Sequence, residues 1–237
     1  FNNFAEAIKL MPEVDTAYNE MAELYITLED YDSAKTILQN YLRSYYSKES
    51  REILNKAIEL IERKEEKEKI LNELYIALNM ADTETITKIL KDEFFLNVIA
   101  PQAPFYFSPY GNYRLTTTYG MMIYNENNIY AGGFKGDMKE GIGTQFMLNP
   151  NKVSGWYYYQ GEWDNNLPSG MGRTVEVKIV KDSEGNPQIL TTNTSGIFSY
   201  GYENGLMKKI FYTDNEETGH VTYRATDGVP EPYLDEY

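Results

Sequence analysis

The sequence predicts an α+β protein: antiparallel helical hairpins first, then an elongated antiparallel β-sheet built from hairpins. Three observations carry this. All 17 glycines lie after residue 105, so the first part lacks the residue that, after proline, most weakens helices. Apolar residues recur at helical spacing before that point and alternate after it. A fixed spacing of aromatic and glycine residues then repeats along the second part.

In the helical part, Tyr18, Met21, Ala22, Tyr25 and Ile26 form one stripe between Asp15 and Leu28. Glu29-Asp30-Tyr31-Asp32 reads as a turn, with Asp32 expected to cap the next helix. That helix turns Ala34, Ile37, Leu38, Tyr41 and Leu42 inward. A long charged helix is expected from about Lys48 to Asn79, its mixed signs supplying i,i+4 pairs on a solvated face. A last helix is expected from about Thr83 to Leu96, capped by Asp82. Pro101 and Pro104 then break the pattern. The predicted organisation is a helical domain over 1–100, a linker over 101–104 and a β domain over 105–237.

Residues Asp15–Lys48 resemble one tetratricopeptide repeat, through Tyr18, Met21, Ala22, Tyr25, Ala34 and Leu38. Phe4, Ala7 and Pro12 fall on the second helix of a preceding repeat, so the chain is expected to start within one; after Lys48 the match fails. The resemblance implies a concave groove lined by Thr16, Asn19, Glu23, Ile26 and Thr27. Asn19 matches a residue type used there to hold a peptide backbone or carboxylate. Glu23 departs from the carboxylate-clamping pattern, which argues against a peptide C-terminus as the ligand.

In the β part, Tyr130, Gly132, Phe134, Gly141 and Gly143 recur at identical offsets as Tyr159, Gly161, Trp163, Gly170 and Gly172. A weaker copy holds Thr194, Gly196, Phe198, Gly201 and Gly205, with Met207 in place of the last glycine. A fourth is expected to begin at Phe107 and end at Gly120. In a strand, alternate residues share a face, so Tyr159, Gly161 and Trp163 project together and the central glycine leaves room for a neighbouring ring. Longer connections are expected around Asn149-Pro150-Asn151 and at Asp182-Ser183-Glu184-Gly185-Asn186-Pro187, the latter an extended hairpin tip. Residues 213–237 match no repeat and are expected to cap the last hairpin. The spacing resembles the MORN repeat, a hairpin module, which implies a stacked-hairpin sheet that mediates protein contacts; the family's full name also points to membranes.

The net charge of −14, spread over both parts, argues against nucleic acid and anionic lipid as partners. Without cysteine there is no thiolate metal site, disulfide or cysteine nucleophile. Its absence fits an exported or envelope-attached protein, with any signal or anchor expected upstream of Phe1, and also fits many cytoplasmic proteins. The one histidine, His220, lies far from any presented serine and is expected in an exposed turn. Glu162 and Asp164 are expected to keep one sheet face soluble rather than act as an acid–base pair. The acidic turns at Asp182 and Asp214 fall short of a calcium loop, and no phosphate-binding glycine motif is present. No cofactor or metal is therefore expected, and no catalytic residue.

The run Trp156-Tyr157-Tyr158-Tyr159 faces both sides of its strand, so it either packs on the helices or forms a binding platform, as do Tyr200 and Tyr202. The expectation is a non-catalytic scaffold binding a protein or peptide through Asn19, Glu23 and Ile26 and through Trp156, Tyr157, Tyr158, Tyr200 and Tyr202. Polysaccharide binding through the aromatic sheet is the alternative, followed by peripheral membrane binding.

Overall fold

A computed structural model describes residues 2–110, 118–149 and 155–231. Five α-helices come first: α1 Asn2–Leu10, α2 Thr16–Thr27, α3 Tyr31–Leu42, α4 Lys48–Met80 and α5 Thr83–Leu90. A π-helical turn Phe95–Ile99 and a 3-10 turn Ala100–Gln102 lead into the strands. These are β1 Phe105–Phe107, β2 Thr118–Asn125, β3 Asn128–Lys135, β4 Met138–Leu148, β5 Gly155–Asp164, β6 Leu167–Lys181, β7 Pro187–Ser199, β8 Tyr202–Thr213, β9 Glu216–Thr226 and β10 Val229–Pro230. The protein is α+β. All ten strands form one sheet in sequential order, each antiparallel to the one before. Residues 150 and 151 of the expected connection, and 232–237 of the C-terminal segment, lie outside the described residues.

The change from helix to strand falls at the two prolines, as the sequence predicts. The compact units divide elsewhere, between Lys69 and Ile70 within α4.

In the first unit, Ala22 of α2 and Ala34 of α3 are fully buried with Leu38, Ile53 and Ala57, and Tyr18 and Tyr25 pack around them. Small residues at 22 and 34 let two helices approach closely. The cap of α3 is Asp30, whose Oδ1 accepts from the Ser33 amide at 3.2 Å, rather than Asp32. Glu29 takes a left-handed conformation and turns the chain early, so the helix starts at Tyr31.

In the second unit, Asp82 caps α5 as expected, accepting from the Thr85 amide and hydroxyl. The helix ends at Leu90 rather than Leu96, because Asp92 accepts from the amides of Phe94 and Phe95 and starts a new turn. Leu74, Leu78, Ile86, Leu90, Phe95 and Ile99 share one core with Met121, Ile123, Ile129, Phe146, Tyr158 and Val175 from the strands. A sheet with an apolar face needs a second layer. Residues 70–102 supply it, which is why this unit starts well upstream of the prolines.

Of the expected fourth copy, residues 111–117 lie outside the described residues, and the ring-over-glycine contact that is described sits one residue out of the expected register. Tyr106 pairs with Met122 as Tyr130 pairs with Gln145, and its ring lies over Gly120. Phe107 points to the other face and packs with the helices. A shift of one residue in a strand reverses which face a side chain takes. Residues 216–226, without a repeat match, extend the sheet as β9 instead of ending it.

Candidate functional site

The repeat spacing builds an aromatic lock. Tyr130 Oη donates to the Gly133 carbonyl at 3.0 Å, and Tyr159 Oη to the Glu162 carbonyl at 2.9 Å. Each ring runs over a pair of facing glycines, Gly132 with Gly143 and Gly161 with Gly172. Trp163 Nε1 donates back to the Gly143 carbonyl at 3.1 Å, tying one hairpin to the next. Ring pairs run edge to face from Tyr106 to Phe134, Tyr130, Trp163, Tyr159 and Phe198, with centroids 5.0–5.4 Å apart. Burial pushes the phenols of Tyr130 and Tyr159 well above their ordinary values and Tyr157 up to about 12.

The third copy reaches the same packing from the opposite strand. Thr194 has no ring to cover Gly196, and the buried side chain of Met207 lies over that glycine instead. The loss of an aromatic on one strand and of a glycine on its partner thus compensate each other. At the G-x-G turns, Gly141 and Gly170 take φ of +71° and +87°, a region costly to other residues. Glu162 Oε1 accepts from the Met171 amide at 2.9 Å beside Gly170, a turn-closing role.

Lys139 is buried under this stripe. Its ammonium lies 4.6 Å from the Trp163 ring centre and 5.3 Å from those of Tyr124 and Tyr130, and donates to Gln145 Oε1 at 2.7 Å. Gln145 in turn donates to Asn128 at 2.8 Å. Burial pushes Lys139 down to about 8. Lys139 pairs with Phe134 as Glu203 pairs with Phe198, and at the later position the polarity is reversed: Glu203 accepts from Lys209, 3.4 Å away, and from Tyr223. These polar groups are structural within their hairpins.

The locks leave a different surface open. Ile142 and Met171 are the middle residues of the two G-x-G turns, and Leu206 occupies the same position in the third copy. With Ile197, which pairs with Met171, these side chains are 47–61% exposed and share the sheet face that carries Phe146 and Val175. They line this face on β4, β6, β7 and β8, with the Glu162 carboxylate standing on β5 between Ile142 and Met171. Sequence reasoning passed over the row, although an apolar residue at the middle of every G-x-G marks it. Tyr200 and Tyr202, at the turn joining β7 and β8, are also exposed.

The remaining predicted site residues are placed as follows. Tyr158 is buried in the core shared with the helices, Trp156 packs against that core on Phe146 and Tyr158, and Tyr157 is partly buried on the other face. Gly205 adopts φ +77° in its turn. Asn19 is buried, its Oδ1 accepting from Ser50 Oγ at 2.7 Å, while Glu23 is exposed and Ile26 packs beside Ala22. His220 is exposed and sits 2.9 Å from Glu217. Asp182 accepts from the amides of Glu184 and Asn186, the turn chemistry expected of that hairpin tip. Among the described residues no three carboxylate, histidine or cysteine side chains converge on a metal-sized site, and no helix is long and apolar enough to cross a membrane.

These features define a repeat protein of consecutive β-hairpins, closed between β1 and β8 by side chains packed over glycine. The MORN repeat family matches residues 130–145 and 159–175, the two hairpins in which ring and glycine pair are complete. Repeats of this family commonly mediate protein or membrane interactions and are generally non-enzymatic. The comparison with curated proteins gave no match.

Proposed function

We propose that this chain is a non-catalytic scaffold whose hairpin sheet docks a protein partner along Ile142, Met171, Ile197 and Leu206, with Tyr200 and Tyr202 at the margin. The observation that carries the proposal is the row itself: four large apolar side chains, at equivalent or directly paired positions, left in solvent while the aromatic stripe is spent on internal packing. Isolated apolar residues on a surface are ordinary, whereas an aligned set marks a contact site. The locked hairpins hold the row rigid, so little ordering entropy is lost on docking.

The test is quantitative affinity capture from the source organism with the intact chain and with the combined Ile142→Thr, Met171→Thr and Leu206→Thr variant. Exposed positions tolerate threonine in a strand, so the fold is retained. The proposal expects a specifically retained protein to fall by about tenfold or more with the variant. Equal retention by both chains would contradict it.

A further inference from the structure

The sheet face that carries Met171, Ile197 and Leu206 also carries a line of hydrogen-bond donors. Gln160, Arg173, Ser195 and Lys208 follow one another in direct register across β5, β6, β7 and β8, so their side chains share one face. At the usual strand spacing the backbones of Arg173 and Lys208 stand about 10 Å apart, with Ser195 between them. Met171, Ile197 and Leu206 lie two residues along the same strands and therefore on the same face. Val175 and Ile210 lie two residues the other way, so the polar line runs between apolar neighbours on both sides.

Arg173 is held in place. Its Nε and Nη2 both donate to Gln160 Oε1, at 3.1 and 2.8 Å, and its guanidinium lies over the Tyr158 ring, 5.6 Å from the centre. Gln160 is fixed in turn by donating to the Asn79 carbonyl at 3.2 Å. These bonds leave Nη1 of the guanidinium unused. Ser195 and Lys208 are exposed and have no hydrogen-bond or ion-pair partner among the described residues. Lys178 and Lys209, by contrast, are paired with Glu176 and Glu203. The Glu162 carboxylate, two residues from Gln160, is engaged by the Met171 amide. In a chain of net charge −14, Arg173 and Lys208 thus reverse the overall field locally. A positioned guanidinium, a hydroxyl and an ammonium in line are donors suited to a carboxylate. The overall charge opposes a phosphate dianion more strongly than a singly charged carboxylate.

We infer that Arg173, Ser195 and Lys208 receive a carboxylate side chain of the docked protein, an acid flanked on its own chain by large apolar residues. The inference rests on the proposed docking surface and adds the chemistry of the segment that fills it.

The test pans a phage-displayed library of random peptides on the intact chain, beside a library lacking Asp and Glu. Peptides with Asp or Glu between large apolar residues are expected to be enriched from the first. For a synthetic peptide of the enriched sequence, Arg173→Gln and Lys208→Gln should each weaken binding about threefold or more. Lys208 makes no bond within the described fold, so its variant reports on the charge alone. The inference is overturned if acidic peptides are not enriched, or if both variants bind as the parent chain does. Tighter binding of a peptide with phosphoserine in place of the acid overturns it too, in favour of a phosphate site. The combined Ile142→Thr, Met171→Thr and Leu206→Thr variant separates this inference from the reading beneath it. Binding lost there but kept in both charge variants leaves the docking surface standing without the carboxylate. The reverse pattern removes the docking surface and leaves the carboxylate site.

Discussion

The phenol of Tyr130 occupies the space that a side chain at residue 143 would need: a Cβ on Gly143 would fall 2.3 Å from Tyr130 Oη. Gly172 stands in the same relation to Tyr159, also at 2.3 Å. The ring and the glycine are therefore one structural unit divided between two strands, and replacing either disturbs both.

Gly143→Ala should destabilise the protein by about 2–3 kcal/mol through overpacking, and Tyr130→Ala by about 3–5 kcal/mol through the cavity it leaves. Because both act on one volume, the double variant should be more stable than the sum predicts by about 1 kcal/mol or more. Gly141→Ala is the contrast: its Cβ meets nothing within 4 Å, so only the +71° backbone angle is penalised, at about 1–2 kcal/mol. Denaturant unfolding of the four chains measures all of this.

The buried ammonium of Lys139 gives the stability a pH signature. Its value in the fold is about 8, below the ordinary lysine value near 10.5, so between these the unfolded chain binds more protons and stability rises with pH. Above about 10 the trend reverses, since burial keeps Tyr130, Tyr157 and Tyr159 protonated in the fold while the unfolded chain ionises. The rings of Tyr124, Tyr130 and Trp163 favour the cation and partly offset its desolvation, so the rise should be about 1–2 kcal/mol. Lys139→Met should abolish the rise and keep the fall, as read by chemical denaturation across that range.

How far the sequence could be read depended on whether a feature was local. The alternation of Tyr159, Gly161 and Trp163 and the offset to Gly170 and Gly172 are local rules of strands and turns, and they recur in the sheet as expected. The cap at Asp82 follows from similar short-range chemistry. Tyr106 and Phe107 are adjacent aromatics, and their assignment to faces depends on the pairing with Met122, which spacing alone left one residue off. Asp30 and Asp32 both suit a cap, and the left-handed turn at Glu29 decides between them. The helical cover of the sheet by Ile86, Leu90 and Phe95 is a long-range contact with no sequence signature, so the linker prolines looked like the limit of the compact unit. Lys139 and the row of Ile142, Met171 and Leu206 hold positions between the repeated glycines and rings, where side-chain type varies from copy to copy and carries no fixed spacing signal.

That helical cover has a direct consequence for fragments. A chain beginning at Ile70 should fold cooperatively, because the helical residues sharing the core with Met121 and Phe146 are all present. One beginning at Phe105 loses Leu74, Leu78, Ile86, Leu90, Phe95 and Ile99 and exposes an apolar sheet face, so it should aggregate or stay partly unfolded. Near-ultraviolet circular dichroism and thermal unfolding of the two fragments would show the difference.

In the helical unit, Asn19 Oδ1 accepts from Ser50 Oγ inside the fold, and Asn19 Nδ2 is buried without a protein partner. Ser50→Ala should cost about 1–3 kcal/mol by leaving the amide oxygen unpaired as well. Adding Asn19→Leu to Ser50→Ala should recover part of that loss, since an apolar pair has no polar atom to satisfy. Thermal unfolding of the single and double variants measures the recovery.

The exposed apolar side chains of Ile142, Met171, Ile197 and Leu206 are the surface proposed to meet a partner. Its most direct test is a photoreactive phenylalanine analogue placed in turn at Met171, Leu206 and the exposed control Asp137, irradiated in the source organism's lysate and analysed by mass spectrometry. The account predicts one protein crosslinked from both Met171 and Leu206 and absent from the Asp137 sample. Crosslinks that are no more frequent or specific at Met171 and Leu206 than at Asp137 would contradict it.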